Sequence, residues 1–258
     1  AASTRILDFD NDGFFDFLSS GRDGIRLVRG DSIGGYEDVT ELASLTGGET
    51  TAVAIVDLDN EGDLDLAVSG ADQVYAWQNR MDGRFTNVDA RVGISGVSAA
   101  RSILPIDHDD DDDPDLLVVD GEGSLRLFDN LRLSRFAEVD RGLGQGSYLK
   151  AQTLDFDNDG WLDVAGLTEE GAITLKPYVD SNFGNDLVVA TGPFREVAVA
   201  DYDNDGWSDL AAAAGNEVVV FRNEGTGAWE QKTVGRVAAE ILAIGWSDAE
   251  NDGDMDLV

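Results

Sequence analysis

The 258-residue chain contains no cysteine, one histidine and only four prolines. Without cysteine, no disulfide contributes to stability and the redox compartment leaves no trace in the sequence. With His108 the single histidine, the usual nucleophile–base triads and histidine–cysteine zinc sites cannot be assembled. Basic residues are scarce: 18 Lys and Arg stand against 52 Asp and Glu, a formal charge of −34. Nucleic acid needs a basic footprint, so it is excluded as a partner. No apolar run approaches the roughly 18 residues of a membrane-spanning helix. Nowhere does a 3.6-residue period persist for three turns, so almost no helix is expected.

What is present is repetition. One nine-residue acidic loop recurs six times, as DFDNDGFFD (8–16), DLDNEGDLD (57–65), DHDDDDDPD (107–115), DFDNDGWLD (155–163), DYDNDGWSD (201–209) and DAENDGDMD (248–256), at intervals of 46–50 residues. A fixed period of this size marks an array of like supersecondary units, each burying its apolar faces by stacking on its neighbours. The second unit shows the plan. Apolar residues 51–56 run into the loop, 65–69 follow it, 74–78 alternate as a third strand, and 85–88 form a weaker fourth. Four short strands bounded by Gly, Asn and Asp turns make a propeller blade. Strands are likewise expected at 116–119 and 125–128, 164–167 and 173–175, and 210–213 and 218–221.

The expected fold is therefore all-β: a single β-propeller domain, 1–258, of four-stranded blades with calcium-binding hairpin loops. Its units are approximately 1–48, 49–98, 99–147, 148–193 and 194–239, with a partial sixth at 240–258. Five full units and two strands suggest an excerpt of a longer propeller; the alternative is an open edge completed by another chain.

The loops hold 29 of the 52 acidic residues, a density that repels itself unless cations fill it. Calcium takes six to eight oxygens at about 2.3–2.6 Å. In D-x-D-x-D-G-x-x-D the carboxylates of positions 1, 3, 5 and 9 converge, and the carbonyl of position 7 can join them. Position 6 must turn sharply, where glycine is cheapest. Position 2 holds Phe9, Leu58, Phe156 and Tyr202 in four copies, as expected of a side chain pointing into the sheets. His108 occupies the same place and is read as packing.

At these motifs the chain resembles the FG-GAP/VCBS repeats of integrin α-subunit propellers and many exported bacterial proteins. Residues 35–45 (GYEDVTELASL) and 83–94 (GRFTNVDARVGI) resemble repeats of cartilage-acidic-protein-like chains. The resemblance implies up to six Ca²⁺ ions. Their ligands would be Asp8, Asp10, Asp12 and Asp16 with the Phe14 carbonyl; Asp155, Asp157, Asp159 and Asp163 with that of Trp161; and Asp201, Asp203, Asp205 and Asp209 with that of Trp207. The second loop departs at Glu61, beside Asp57, Asp59, Asp63 and Asp65. The sixth departs at Glu250, beside Asp248, Asp252, Asp254 and Asp256. The third keeps Asp107, Asp109, Asp111, Asp113 and Asp115, but Asp112 replaces the glycine and Pro114 stiffens position 8, so it is expected to be the weakest.

Other features have plainer readings. Arg29-Gly30-Asp31 spells an adhesion tripeptide but falls where related units have ordinary turns. Trp77, Trp161, Trp207, Trp229 and Trp246 read as blade packing, with Trp229 in an outer turn. Arg101, Lys150 and Arg195 each precede a loop at the entry of an innermost strand. They are expected either to cluster on the calcium-free face as an anion site or to be scattered charges on an acidic surface. Together these features indicate an extracellular or periplasmic binding and adhesion module for protein or carbohydrate, not an enzyme. The alternatives are a structural subunit that self-assembles through the incomplete sixth unit, and a polysaccharide lyase or hydrolase.

Overall fold

The computed structural model describes residues 3–45, 47–88, 93–250 and 252–258. Residues 89–92 of the second resembling segment, and Asn251 of the sixth loop, lie outside the described residues. Among those described, the fold is all-β, with five antiparallel four-stranded propeller blades. Blade 1 is β1 (Ser3–Leu7), β2 (Asp16–Gly21), β3 (Gly24–Gly30) and β4 (Tyr36–Asp38). Blade 2 is β5 (Thr50–Val56), β6 (Asp65–Gly70), β7 (Val74–Asn79) and β8 (Phe85–Asn87). Blade 3 is β9 (Ser102–Ile106), β10 (Asp115–Val119), β11 (Leu125–Asn130) and β12 (Phe136–Val139).

Blade 4 departs from the expected plan. After β13 (Tyr148–Leu154), β14 (Asp163–Thr168) and β15 (Ala172–Lys176) the chain inserts a small hairpin, β16 (Tyr178–Val179) with β17 (Asn182–Phe183). Only then does it lay down the outer strand β18 (Leu187–Thr191). The hairpin turns on Asp180 (φ 52°) and Ser181 (φ 63°), two left-handed residues of the kind that matches strand twist in a two-residue turn. Blade 5 is β19 (Glu196–Ala200), β20 (Asp209–Ala214), β21 (Glu217–Asn223) and β22 (Trp229–Arg236). A two-stranded pair follows, β23 (Trp246–Ser247) with β24 (Asp256–Leu257). Trp229 opens β22 and packs against the core of its unit.

The chain divides into two compact units, Ala1–Glu122 with Arg126–Asp140, and Gly123–Leu125 with Arg141–Val258. Strand alternation builds the core of each. In β6, Leu66 and Val68 join Leu7, Phe9, Leu18 and Leu27 of blade 1, whereas Ala67 faces a second cluster containing Ile103, Leu116 and Phe128 of blade 3. In the second unit Leu154, Leu167 and Leu175 meet Val197, Leu210 and Phe221. Position 2 of the acidic loop belongs to this packing: Phe9, Leu58 and His108 are all buried.

Each of the first five loops has two left-handed residues. Position 4 takes φ near +57° through Asn11, Asn60, Asp110, Asn158 and Asn204, a conformation that Asn and Asp tolerate. Position 6 takes φ between +86° and +93° at Gly13, Gly62, Gly160, Gly206 and Gly253, but the third loop places Asp112 there at φ 67°. A side chain in this region costs energy that glycine avoids. Asp112→Gly is therefore expected to stabilise the metal-free protein by about 0.5–1 kcal/mol, read as a rise in melting temperature; an unchanged or lower value would contradict a strained third loop.

Candidate metal loops and binding face

The ninth position of the loop is the fixed point of every blade. Asp16, Asp65, Asp115, Asp163 and Asp209 begin the second strand and are fully buried. One oxygen of each accepts the position-2 amide, from Phe9 (2.9 Å), Leu58 (2.9 Å), His108 (3.0 Å), Phe156 (3.1 Å) and Tyr202 (3.2 Å). The other accepts an amide at the end of the third strand, or just beyond it in blade 4, from Gly30 (2.8 Å) and from Asn79, Asn130, Tyr178 and Asn223 (2.7 Å each). One carboxylate thus ties loop, second strand and third strand together. Outside blade 3, where His108 Nδ1 also lies 2.5 Å from Asp115 Oδ2, each oxygen retains a further lone pair for a cation.

Position 1 folds the turn. Asp8, Asp57, Asp155, Asp201 and Asp248 accept the amides of positions 5 and 6, as in Asp12 N–H to Asp8 Oδ1 (3.1 Å) and Gly13 N–H to Asp8 Oδ2 (2.9 Å). In the third loop Asp107 Oδ1 instead takes the position-4 amide of Asp110 (2.8 Å), so this loop is differently wound. Position 5 turns to the amide of position 7. Asp12, Asp111, Asp159, Asp205 and Asp252 accept from Phe14, Asp113, Trp161, Trp207 and Asp254 at 2.9–3.1 Å.

Ligand-type atoms converge within 4.8 Å of one another in Asp8, Asp10 and Asp16; in Asp57, Asp59, Asp63 and Asp65; in Asp107, Asp109 and Asp115; and in Asp155, Asp157 and Asp163. Positions 1, 3 and 9 come together, while the position-5 carboxylates Asp12, Glu61, Asp111 and Asp159 stand outside these groups. In the second loop the Asp63 side chain joins directly, where only its carbonyl was expected. Glu61 and Glu250 are exposed.

These groups fit a hard cation. Asp10 Oδ1, Asp59 Oδ1 and Asp63 Oδ1 are buried oxygens with no hydrogen-bond partner, which is costly unless a positive group meets them. Burial, then neighbouring acids, raise the affinity of Asp10, Asp59, Asp63 and Asp157 for protons. Burial pushes Asp65 and Asp163 up to about 7 and Asp209 up to about 6, against 3.8. Every carboxyl raised in this way lies in an acidic loop.

Two sets of supporting residues were not identified from the sequence. The residue before the third-strand brace, read as a turn, reaches back to position 3. Gln78 Nε2 donates to Asp59 Oδ2 (2.5 Å), Arg222 Nε to Asp203 Oδ2 (2.5 Å), and Arg29 Nη1 lies 4.0 Å from Asp10 Oδ2. Arg222 also engages Asp205 (2.7 Å), so it already offers positive charge to the fifth loop. Second, asparagines join neighbouring blades. Asn79 Nδ2 donates to the Phe9 carbonyl (2.6 Å), Asn130 to that of Leu58 (3.0 Å) and Asn223 to that of Phe156 (2.7 Å). The sequence signal was a repeated Gln78-Asn79, Asp129-Asn130 and Arg222-Asn223 after an apolar strand.

The adhesion-like tripeptide is a structural turn: Gly30 braces Asp16, Arg29 pairs with Glu37 (3.0 Å), and Asp31 accepts the amides of Ile33 and Gly35. Of the three entry-strand cations, Lys150 is paired with Glu196. Arg101 donates to the Gly121 carbonyl (3.1 Å), and Arg195 to those of Glu169 and Phe194.

The FG-GAP-like repeat model matches residues 8–68, 57–118 and 201–258, more than half of the chain and each time from one acidic loop towards the next. The chain belongs to the FG-GAP-like repeat family. No curated protein matches it significantly in sequence. Among solved structures it is similar to an Agrocybe aegerita lectin described for specific recognition of non-reducing terminal N-acetylglucosamine (TM-score 0.62, 18% identity, 90% of this chain and 65% of the lectin). It is also similar to part of the Photorhabdus luminescens Tc holotoxin pore (TM-score 0.56, 18% identity, 98% of this chain and 13% of that one). The V. cholerae biofilm matrix protein Bap1 matches more loosely (TM-score 0.46, 16% identity, 91% of this chain and 39% of Bap1). This chain therefore spans less than two thirds of each of these proteins, and at such identities the likeness to the first two establishes the fold alone.

At the strand ends remote from the loops, a cavity of about 410 Å³ opens between blades 1 and 2. Its wall includes Tyr75 and Trp77, with Glu49, Thr50, Asp72 and Asn87 supplying polar groups. Tyr75 Oη donates to Asp72 Oδ1 (3.0 Å), which fixes the ring.

The raised carboxyls give the metal-free protein a definite pH dependence. Asp65, Asp163 and Asp209 bind protons more tightly when folded than the unfolded value of 3.8 allows. Their contribution is complete below that value and is lost as pH rises through about 6–7. With chelator present, the melting temperature is expected to fall between pH 5 and pH 8; a rise over that interval would contradict the burial of these acids.

Proposed function

We propose that the chain is an exported, calcium-stabilised propeller that binds carbohydrate on the face away from its metal loops, without turnover. The observation that carries the ligand class is the cavity between blades 1 and 2. Aromatic walls suit the apolar face of a sugar ring, and a few polar groups fix its hydroxyls. Glu49 and Asp72 at the wall favour neutral sugars over uronates. The N-acetylglucosamine specificity of the similar lectin makes that sugar the first to test.

Calcium is the cation that suits an all-oxygen cage of carboxylates and a carbonyl. It would neutralise position 3 and position 9 together and so hold the loop to the second and third strands. The fourth loop, where Pro177 stands in place of Arg29, Gln78 and Arg222, has no such donor to compete with a cation. It is expected to be among the tightest, while the rewound third loop is weakest for calcium. Sites of about 0.1 mM affinity fill at about 2 mM extracellular calcium, each adding about 1.8 kcal/mol to stability. That concentration argues for an exported protein.

Two measurements test this reading separately. Calorimetric titration of the chelated chain is expected to show several calcium ions bound, with Asp157→Asn removing one; no calcium binding would overturn the metal reading. Saturation-transfer NMR with N-acetylglucosamine oligosaccharides, in calcium, is expected to show contact that Tyr75→Ala weakens at least about tenfold, equivalent to roughly 1.4 kcal/mol, while calcium binding persists. Failure of neutral sugars to bind would overturn the ligand reading and leave the calcium result standing.

A further inference from the structure

Blade 3 differs from the others at two residues that meet in space. In blades 1, 2 and 5 the residue preceding the third-strand brace is a donor, Arg29, Gln78 or Arg222, directed at the position-3 carboxylate. In blade 3 that residue is Asp129, on β11, and the position-3 carboxylate is Asp109. A second acid stands where a donor stands elsewhere. Position 2, apolar or aromatic in the other loops, is here His108, the chain's single histidine. The substitutions coincide: one ligand atom each from His108, Asp109 and Asp129 lies within 4.8 Å of the others.

The histidine is also aimed. Its ring is buried, 1% exposed. Nδ1 lies 2.5 Å from Asp115 Oδ2, and the His108 amide donates to that same oxygen (3.0 Å). Asp115 is in turn held by the Asn130 amide (2.7 Å). With Nδ1 on Asp115 Oδ2, the ring's other nitrogen is Nε2, which is buried. A carboxylate on the far ring nitrogen is the usual support of a metal-bound histidine, since it fixes the tautomer and raises basicity.

We propose that His108 Nε2, Asp109 and Asp129 form a site for a divalent transition metal ion, zinc foremost, oriented by Asp115. An imidazole ligand selects this class over calcium, which takes oxygen. Three protein ligands leave a fourth position for water or a ligand atom. Tetrahedral zinc bonds of about 2.0–2.2 Å place ligand atoms roughly 3.3 Å apart, so the ion draws these three inward by at most about 1.5 Å. Asp109 is shared with the third acidic loop, so filling this site withdraws a ligand from calcium there. The site does not depend on the calcium reading of the remaining loops, because its nitrogen ligand occurs only here.

The test is titration of the chelated full chain with cobalt(II) and with zinc, in millimolar calcium to fill the other loops. One equivalent is expected to bind, cobalt giving the intense visible bands of a tetrahedral nitrogen–oxygen site. Asp129→Gln, which installs blade 2's residue, and His108→Phe, which installs the position-2 residue of blades 1 and 4, are each expected to weaken binding on the order of 100-fold, at or beyond the upper end of the 10- to 100-fold loss typical of a supporting residue. Asp129 is partly exposed, so Asp129→Gln keeps the test valid should His108→Phe misfold. Absence of a stoichiometric site, binding that survives Asp129→Gln, or displacement by calcium would each overturn the assignment.

Discussion

The whole molecule hangs on a carboxylate that has no access to water. In each of the five blades the ninth loop residue is buried and gives both oxygens to backbone amides, one from the loop and one from the third-strand end. Burying an acid is expensive, and two neutral amides compensate only part of that cost, as the raised proton affinities of Asp65, Asp163 and Asp209 show. A proton or nearby positive charge meets the remainder. Gln78 and Arg222 provide polar or cationic contact at position 3, and a bound cation would complete the compensation at the cage itself.

This economy explains why the loop is conserved along the chain while its surroundings vary. The apolar position-2 residues Phe9, Leu58 and Phe156 anchor their loops to the core, and Asn79, Asn130 and Asn223 fasten those loops to the adjacent blade. Loop, strand and neighbour are thus linked by direct hydrogen bonds. The opposite strand ends, where Tyr75 and Trp77 border a cavity without any acidic loop in its wall, are the proposed place of ligand recognition. Blade 3 breaks the pattern in both chemistry and winding, with Asp112 in a left-handed position, Asp110 replacing Asp112's neighbour as the donor to Asp107, and His108 braced by Asp115.

Much of this was legible in the sequence because it is local. The period gave the blade plan, the apolar position 2 predicted its burial, and the glycine at position 6 predicted a left-handed turn; in the third loop the misfit of Asp112 was visible at once. Contacts between distant residues were not. That Arg29, Gln78 and Arg222 reach position 3 depends on register across two strands, and the asparagine links depend on blade stacking. The hairpin inserted in blade 4 escaped notice because Asp180 and Ser181 turn the chain without glycine. Lys150 was read as a possible anion contact, but its ion pair with Glu196 is set by the approach of β13 to β19.

Amide hydrogen exchange of the full chain, with calcium and with chelator, tests the central claim most directly. If cations hold the loops and the loops hold the blades, calcium must slow exchange at the amides of Gly13, Gly62, Gly160 and Gly206 and also at those of Phe9, Leu58, Phe156 and Tyr202 behind them. Identical exchange in both conditions would show that the buried carboxylates are satisfied by the protein alone, and the account of a cation-held propeller would be wrong.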